Sequence, residues 1–554
     1  MGDKLLKDSV HGYINIEEPF VKIINTAAFQ RLKRIQQTSY RVLYPSASHD
    51  RFIHSIGVYH LGTMVFSSVH KNSKITCDHD QEKFSAILKS WRVPFLAACL
   101  LHDVGHAPFS HTCEEFYEKN LYAKLKSALG NGKTLRVFEE FFEDYDVGVK
   151  AKPHELMSAL MIVSCRDELR LTNDIIPTNE ALDFIIRAIL GCPYAAIKAN
   201  DDDERQIKNA LIQLLNSELI DVDKLDYIVR DSMISGFCNV EMDLPRLLAS
   251  FVFARRRGDN IILPMYKHSA QSVIENVFTA RGNAVRWIMS HNAVVYETAL
   301  LQTAISKVLS ELNINAEDVF CFESLTKVGS VVDTKRGPRT FRYLGDDDII
   351  CMLKEHMDAP YNITEIHEYF DRNLRKKAIW KTHSEYIATV GGHDADDFSN
   401  KFAPFISSTG VAPYRLECVN KSNFDAYISG CKDTDKVAYK RFFRDIGLDF
   451  DGDDAKEVLF IAYSSSQFAK TISRRDVYLL YDGHYESIEK VIGEYNARGN
   501  DIDRGFFVYY KQCDKQCDGT CNKHCWDKLK PSKFELEYRN RFKRGHDGGI
   551  HRST

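Results

Sequence analysis

One stretch, Cys99-Leu-Leu-His-Asp-Val-Gly-His-Ala-Pro-Phe-Ser-His111, places His102, Asp103, His106 and His111 within ten residues. An apolar lead-in, Val93 to Leu101, delivers His102 and Asp103 side by side. His106 follows His102 by four residues, so on a helix the two imidazoles would share a face. Pro108 should bend the chain before His111. Imidazoles and a carboxylate in an apolar setting are costly unless something pairs with them. A divalent metal is the usual partner of neutral imidazole plus carboxylate. A polar helix end with solvated histidines fits less well, because these groups follow an apolar run rather than a charged one.

Two further stretches carry groups of the same kind. In His49-Asp-Arg-Phe-Ile-His-Ser-Ile-Gly-Val58, Arg51 and His54 lie three apart, on adjacent turns of a helix entering an apolar run. An arginine there can hold a phosphate bidentately. A lone histidine on such a helix is more often a satisfied core residue, and only its combination with the 102–111 cluster suggests a ligand. In Leu219-Ile-Asp-Val-Asp-Lys-Leu-Asp-Tyr-Ile-Val-Arg-Asp231, Asp223, Tyr227 and Arg230 follow helical spacing and Lys224 sits beside Asp223. The four aspartates could form a mere acidic helix, but the apolar residues between them make it at least half buried. His154 opens another amphipathic helix, with Pro153 just ahead of it.

The elements that must position these groups read as mainly helical. Asp8-Ser-Val-His-Gly-Tyr-Ile-Asn-Ile looks like a turn leading into a strand, and Glu17 to Gln37 like an amphipathic helix broken near Asn25-Thr26. Arg31, Lys33, Arg34 and Arg41 near it are most simply a solvated basic face, or else an anion surface. Residues 70–92 and 119–150 are polar and charged and read as loops or excursions from the core, with a helical pattern at Phe138-Glu-Glu-Phe-Phe-Glu in the second. With 554 residues the chain exceeds a typical domain of about 150. Three parts are expected: a core over 1–330, a smaller α+β C-terminal lobe over 331–510, and a Cys-rich segment with a basic tail over 511–554. In the lobe, 345–381 reads as helical, and Glu457-Val-Leu-Phe-Ile-Ala-Tyr and Asp476-Val-Tyr-Leu-Leu-Tyr as strands. Its role is expected to be assembly.

Composition narrows the class. A formal net charge of −4 provides no global basic field, so nucleic acid is not indicated, although a local groove could bind it. No apolar run of about 18 residues is present to span a membrane. Ten of the fourteen cysteines lie singly in apparent core segments, which fits reduced thiols in a cytoplasmic or nuclear compartment. The other four, Cys513, Cys517, Cys521 and Cys525, repeat every fourth residue. They could hold a structural zinc, though the spacing lacks the C-x-x-C knuckle; unpaired thiols and disulfides are the alternatives.

His54, His102-Asp103 and Asp223 spell H…HD…D, and the chain resembles the HD-domain metal-dependent phosphohydrolases. The flanking Asp8-Ser-Val-His-Gly, Phe29-Gln-Arg-Leu, Ser48-His-Asp-Arg-Phe-Ile-His-Ser-Ile-Gly-Val and Asp221-Val-Asp-Lys-Leu-Asp-Tyr look like the dNTP triphosphohydrolase branch. The similarity runs from about Lys4 to about Lys307 and more faintly to about Lys381. The resemblance implies a helical HD-domain core that hydrolyses deoxynucleoside triphosphates to deoxynucleoside and inorganic triphosphate. It implies metal ligation by His54, His102, Asp103 and Asp223, with iron, manganese or zinc there and magnesium on the triphosphate. It puts Arg51, Lys224, Tyr227 and Arg281 on the phosphates, and Gln37 and Asp231 on the sugar 3′ hydroxyl. His106 and His154 would face the phosphates and attacking water. His111 would be the general acid, with Glu114 where the family has a supporting Asp.

The branch forms oligomers around activating nucleotides, so a homo-oligomer, dimer or tetramer, is expected. Lys4, Asn25, Gln30 and Lys33 fall at or near that interface. Asn25 and Lys33 stand where the family has Asp and Arg, which argues against strict guanine activation. Two other classes share the features: an HD-domain nuclease or phosphodiesterase acting on nucleic acid or a cyclic nucleotide, and a non-catalytic nucleotide-regulated binding protein. The full set of metal-ligand residue types argues against the latter.

Overall fold

The computed structural model describes residues 2–375 apart from 74–77, 131–135, 196–202, 218–219, 238–240, 257–260, 290, 335–336 and 359, together with short pieces between 416 and 487. All of these belong to one unit, Met1–Glu494. The four cysteines of 513–525 lie outside the described residues. Helices dominate, joined by short strands.

The chain opens with an antiparallel hairpin, Lys4–Asp8 against Gly12–Ile16, with Asp8 opposite Gly12. Helices Glu18–Ile24 and Ala27–Gln30 follow, separated at Asn25-Thr26 because the Thr26 hydroxyl caps the second one by accepting from Phe29 N at 3.3 Å. Arg51–Asn72 is the central helix. Asp50 caps it by accepting from Ile53 N at 3.0 Å, and it packs against the helices Arg92–Leu101 and Val222–Ser235. The Arg92–Leu101 helix is buried from Pro94 onward, as its unbroken apolar run requires. Its last turn closes at Leu101, and 102–105 form a turn. His102 and His106 therefore do not share a helical face; the turn carries them instead.

The charged segments 70–92 and 119–150 are not loops. They hold the helices Asp78–Ser90, Leu121–Gly130 and Arg136–Asp146. Each buries one narrow stripe, such as Leu121, Leu125 and Leu129 or Phe138, Phe142 and Tyr145, and leaves most of its circumference to charge. Strands Phe251–Arg255 and Ile262–Lys267 pair antiparallel, and Tyr478–Tyr481 joins Ile262–Lys267 in parallel through Tyr266 and Leu479. Leu416–Val419 pairs with Val458–Ile461. The described cysteines are free thiols. Among the described residues no single helix is long and apolar enough to cross a membrane.

Two long-range clasps shape the turn 102–111. The Arg31 guanidinium is buried and donates to the carbonyls of Val104 (2.7 Å), His106 (2.8 Å) and Leu344 (3.0 Å). Arg31 is thus no part of a solvated face. Asp346, at the start of helix Asp346–Lys354, accepts from Phe109 N at 2.6 Å and from Gln36 N at 2.9 Å. Phe109 and Ser110 both adopt left-handed backbone, φ 55° and 52°, which side chains other than glycine adopt at a cost of about 1–3 kcal/mol each. The clasp holds that strain in place.

Burial pushes the Asp346 carboxyl up to about 7 from 3.8, against the two N–H donors. Between these values the folded chain keeps a proton that the unfolded chain has released. This group's contribution to stability is therefore full below pH 4 and is withdrawn as pH rises toward 7. We expect urea unfolding to show a decline of roughly 2–4 kcal/mol across that window that is flattened in Asp346→Asn. Identical pH slopes for the two proteins would contradict it.

Candidate metal centre and adjoining histidine cluster

The central helix contributes His54 from its first turn, the turn after Arg92–Leu101 contributes His102 and Asp103, and Val222–Ser235 contributes Asp223 from its own first turn. The four meet at one point. His54 Nε2 lies 3.1 Å from Asp223 Oδ1 and 3.5 Å from Asp103 Oδ2. His102 Nε2 lies 3.5 Å from Asp103 Oδ2 and 3.6 Å from Asp223 Oδ1. His54 is fully buried, while the Asp223 side chain is 34% exposed and opens the site to solvent.

The proton positions follow from the other ring nitrogens. His54 Nδ1 lies 2.8 Å from the Asp226 carboxylate, and His102 Nδ1 lies 2.9 Å from the Cys99 carbonyl. Both partners are acceptors, so both Nδ1 atoms carry protons, and both Nε2 atoms face the carboxylates of Asp103 and Asp223. Neither Nε2 is buried with a well-formed hydrogen bond among the described residues. Two buried Nε2 atoms beside two carboxylates, with Nδ1 protons held from behind, are the donor set and outer support that a divalent cation requires. These residues fit a metal. Burial works against a charged His54, yet the Asp223, Asp226 and Asp103 carboxylates outweigh it and lift the imidazole to about 9, so Nε2 also holds a proton that a bound cation would displace.

Beside this centre lies a second group. His106, His111, Glu114 and His154 bring their nitrogen and oxygen atoms within 4.8 Å of one another. His154 enters from helix Pro153–Ser164, which begins at Pro153 as its fixed φ favours. Its ring stacks on His106 with centroids 4.1 Å apart. Glu114 accepts from both His111 Nδ1, at 2.9 Å, and His154 Nδ1. Burial would raise the Glu114 carboxyl, but the two imidazoles hold it well below the usual carboxylate range. His106 is fully buried, and both its nitrogens lack hydrogen bonds among the described residues. Burial and the neighbouring cations keep it neutral, well below the usual imidazole value.

The other expected site residues are placed unevenly. Arg51 donates to Asp103 at 2.6 Å and to Ser110 Oγ at 2.9 Å, so its guanidinium braces a metal-centre carboxylate. Lys224 is tied to the Ser217 carbonyl at 2.6 Å and to Asp221 at 2.5 Å. Tyr227 is pushed up to about 12 by burial, partly offset by the nearby Arg281. Asp231 pairs with the buried His49 at 2.8 Å. The buried Gln37 leaves its Oε1 without a hydrogen bond among the described residues. Away from the centre, Lys4 Nζ meets Asn25 Oδ1 at 3.4 Å, Gln30 donates to the Ile24 carbonyl at 2.6 Å, and Lys33 lies over the Phe52 ring.

Sequence reasoning missed His11, His49, Asp226 and Arg31 as supports. Asp226 and Arg230 follow Asp223 at helical spacing, and that signal could have been read as a second set of inward groups.

Cation binding to the folded chain alone should stabilise it by mass action, about 2.7 kcal/mol at a hundredfold excess over Kd. We expect manganese to raise the melting temperature of the wild type and to leave Asp223→Ala unmoved. Equal shifts in the two would place the ion elsewhere.

No protein-family model matches the chain. It is 26% identical over 411 residues to a putative HD domain-containing protein of Acanthamoeba polyphaga mimivirus, covering 69% of this chain and 77% of that protein. It is 29% identical over 249 residues to a deoxynucleoside triphosphate triphosphohydrolase SAMHD1 homolog of Dictyostelium discoideum, covering 44% of this chain and 39% of that one. The chain spans about half the length of other curated relatives it matches. A hypothetical protein from Aquifex aeolicus has a similar fold, with a TM-score of 0.52 at 18% identity, covering 88% of this chain and 92% of that one. In sequence the chain is thus similar, at 26–29% identity, to an HD domain-containing protein and to a deoxynucleoside triphosphate triphosphohydrolase.

Proposed function

We propose that this protein is a metal-dependent hydrolase that cleaves deoxynucleoside triphosphates at the α-phosphorus, releasing deoxynucleoside and inorganic triphosphate. The observation that carries the reading is the convergence of the His54 and His102 Nε2 atoms on Asp103 and Asp223, with the His106–His111–Glu114–His154 group alongside. The choice of a deoxynucleoside triphosphate rests on the activity by which the similar protein of Dictyostelium discoideum is named.

His54, His102, Asp103 and Asp223 would hold a divalent metal such as iron, manganese or zinc. When bound, that ion supplies Lewis-acid polarisation of a phosphoryl group. Arg51 keeps Asp103 ionised and oriented. Arg51, Arg281, Tyr227 and Lys224 would offset and orient the triphosphate, which brings about four negative charges and in this reading carries a magnesium. For Lys224 that means exchanging its bonds to Ser217 and Asp221. Gln37, with its free Oε1, and Asp231 would meet the sugar 3′ hydroxyl.

His111 is the group best placed to protonate the leaving 5′ oxygen. Its side chain is 59% exposed; burial, Arg51 and His154 pull its imidazole below the ordinary value against the Glu114 carboxylate on Nδ1, so the negative charge of a bound triphosphate would be needed to favour the imidazolium whose Nε2–H is donated. His154 shares the same carboxylate, and neutral His106 lies between this pair and the metal centre, its Nε2 3.4 Å from Asp103 Oδ1. A homo-oligomer with an activating nucleotide near Lys4, Asn25, Gln30 and Lys33 belongs to this reading. Lys4 and Asn25 already meet there.

The test is product analysis with each dNTP and NTP, singly and mixed, in manganese, iron or magnesium. Deoxynucleoside plus inorganic triphosphate is expected, abolished in Asp103→Ala and slowed ~10²–10⁴-fold in kcat in His111→Ala. Turnover of single-stranded DNA, RNA or a cyclic nucleotide with none of any triphosphate would sink the reading in favour of a nuclease or phosphodiesterase.

A further inference from the structure

The hairpin turn Asp8-Ser-Val-His-Gly12 has no part in the chemistry above, yet its Asp8 and His11 side chains point inward. The His11 side chain is 5% exposed and those of Asp8 and Asp226 are 1% and 0%. His11 Nε2 lies 2.6 Å from Asp226 Oδ1. Arg230 donates to the same carboxylate twice, Nε to Oδ2 at 2.8 Å and Nη2 to Oδ1 at 2.9 Å. The other side of the Arg230 guanidinium is held by Asp8, whose two oxygens accept at 3.0 Å each. Asp8 also accepts from His11 N at 3.2 Å, so the turn closes on itself.

With His54 Nδ1 at 2.8 Å from Oδ2, the Asp226 carboxylate faces four nitrogens, two on each oxygen. An ionised carboxylate has about four lone-pair sites and can only accept, so each of those nitrogens presents a proton. Burial would raise its pKa, but Arg230, His11 and His54 hold it well below the usual carboxylate range. There is no slack around it. A Cβ added at Gly57 would sit 2.0 Å from Asp226 Oδ1 and 2.4 Å from Arg230 Nη2, so the central helix must present a glycine there. Removing the His11 donor leaves one buried lone pair of Asp226 unmet and frees the carboxylate to rotate. The Nδ1 proton and ring plane of His54 depend on that carboxylate.

We propose that the hairpin turn is an outer part of the metal centre. His11 directly, and Asp8 through Arg230, are positioning residues that lock Asp226 and thereby the tautomer and ring orientation in which His54 offers Nε2. This rests on the assignment of His54 as a metal ligand. It gives the Asp8–Gly12 motif a task and extends the centre from the turn at 102–105 to the first strand pair of the chain.

The test is manganese affinity of the full-length protein by competition with a chelator, alongside thermal melting in excess EDTA and a split of kcat from KM. His11→Leu removes the donor. His11→Gln keeps a side-chain N–H that can reach the carboxylate. Asp223→Ala is the ligand control. Loss of an outer-shell partner of a metal-ligating histidine typically weakens metal binding 10–100-fold. We expect about tenfold or more weaker manganese binding in His11→Leu, recovery to within about threefold in His11→Gln, and melting curves in EDTA that do not follow that order. Wild-type manganese affinity in His11→Leu, with loss in Asp223→Ala, overturns this inference alone. So does an affinity loss in both His11 variants that tracks their melting temperatures in EDTA, since that is a merely structural role. A wild type that binds no manganese overturns the metal assignment and this inference with it.

Discussion

Three carboxylates converge on one buried imidazole. His54 has Asp223 and Asp103 on its Nε2 side and Asp226 on its Nδ1 side, all within 3.5 Å. Ionised carboxylates gathered in an apolar interior are costly unless each is paired, so such a group cannot stand unaided. Each carboxylate accordingly has a cationic or metal-competent answer. Arg51 takes Asp103, Arg230 takes Asp226, and the Nε2 atoms of His54 and His102 face Asp223. The helix packing, with the central helix wedged between those that deliver the other ligands, is the arrangement that lets these answers reach their targets.

That division of labour explains why the neighbouring cluster behaves differently. Around His106 and His154 one carboxylate, Glu114, is shared between His111 and His154, and among the described residues His106 makes no hydrogen bond, its Nε2 only approaching Asp103 Oδ1 at 3.4 Å. The centre with excess negative charge suits a cation. The cluster with excess imidazole suits proton traffic and an anionic substrate. The two lie side by side because the turn 102–111 runs through them in sequence order, His102 and Asp103 to one and His106 and His111 to the other.

The chemically distinctive residues were legible in the sequence because few alternatives explain histidines and aspartates in apolar surroundings. Their helices were legible where apolar periodicity was unbroken, as at 92–101 and 153–164. Two kinds of feature were not. Helices such as Arg136–Asp146 bury so narrow a stripe that charge dominates their composition. Contacts to backbone leave no complementary residue to notice: Arg31 reads carbonyls, Asp346 reads amides, and Lys224 spends its ammonium on the Ser217 carbonyl. In the sequence, Arg31 is one more cation in a basic run, and Asp346 is one more helix-starting aspartate.

The clasp on the left-handed pair Phe109–Ser110 has a consequence for the order in which the molecule is made. The groups that close it are separated by 237 residues for Asp346 and Phe109, and by 313 for Arg31 and Leu344. Contacts between such distant parts of a chain form late, because a long loop must close before they repay it. During synthesis the helices of the first three hundred residues can emerge and pack while Phe109, next to the turn bearing His111, still lacks the Asp346 carboxylate that accepts from its N–H. The final shape of that turn is therefore a terminal event of folding, and the segment that confers it supplies no side chain to the chemistry.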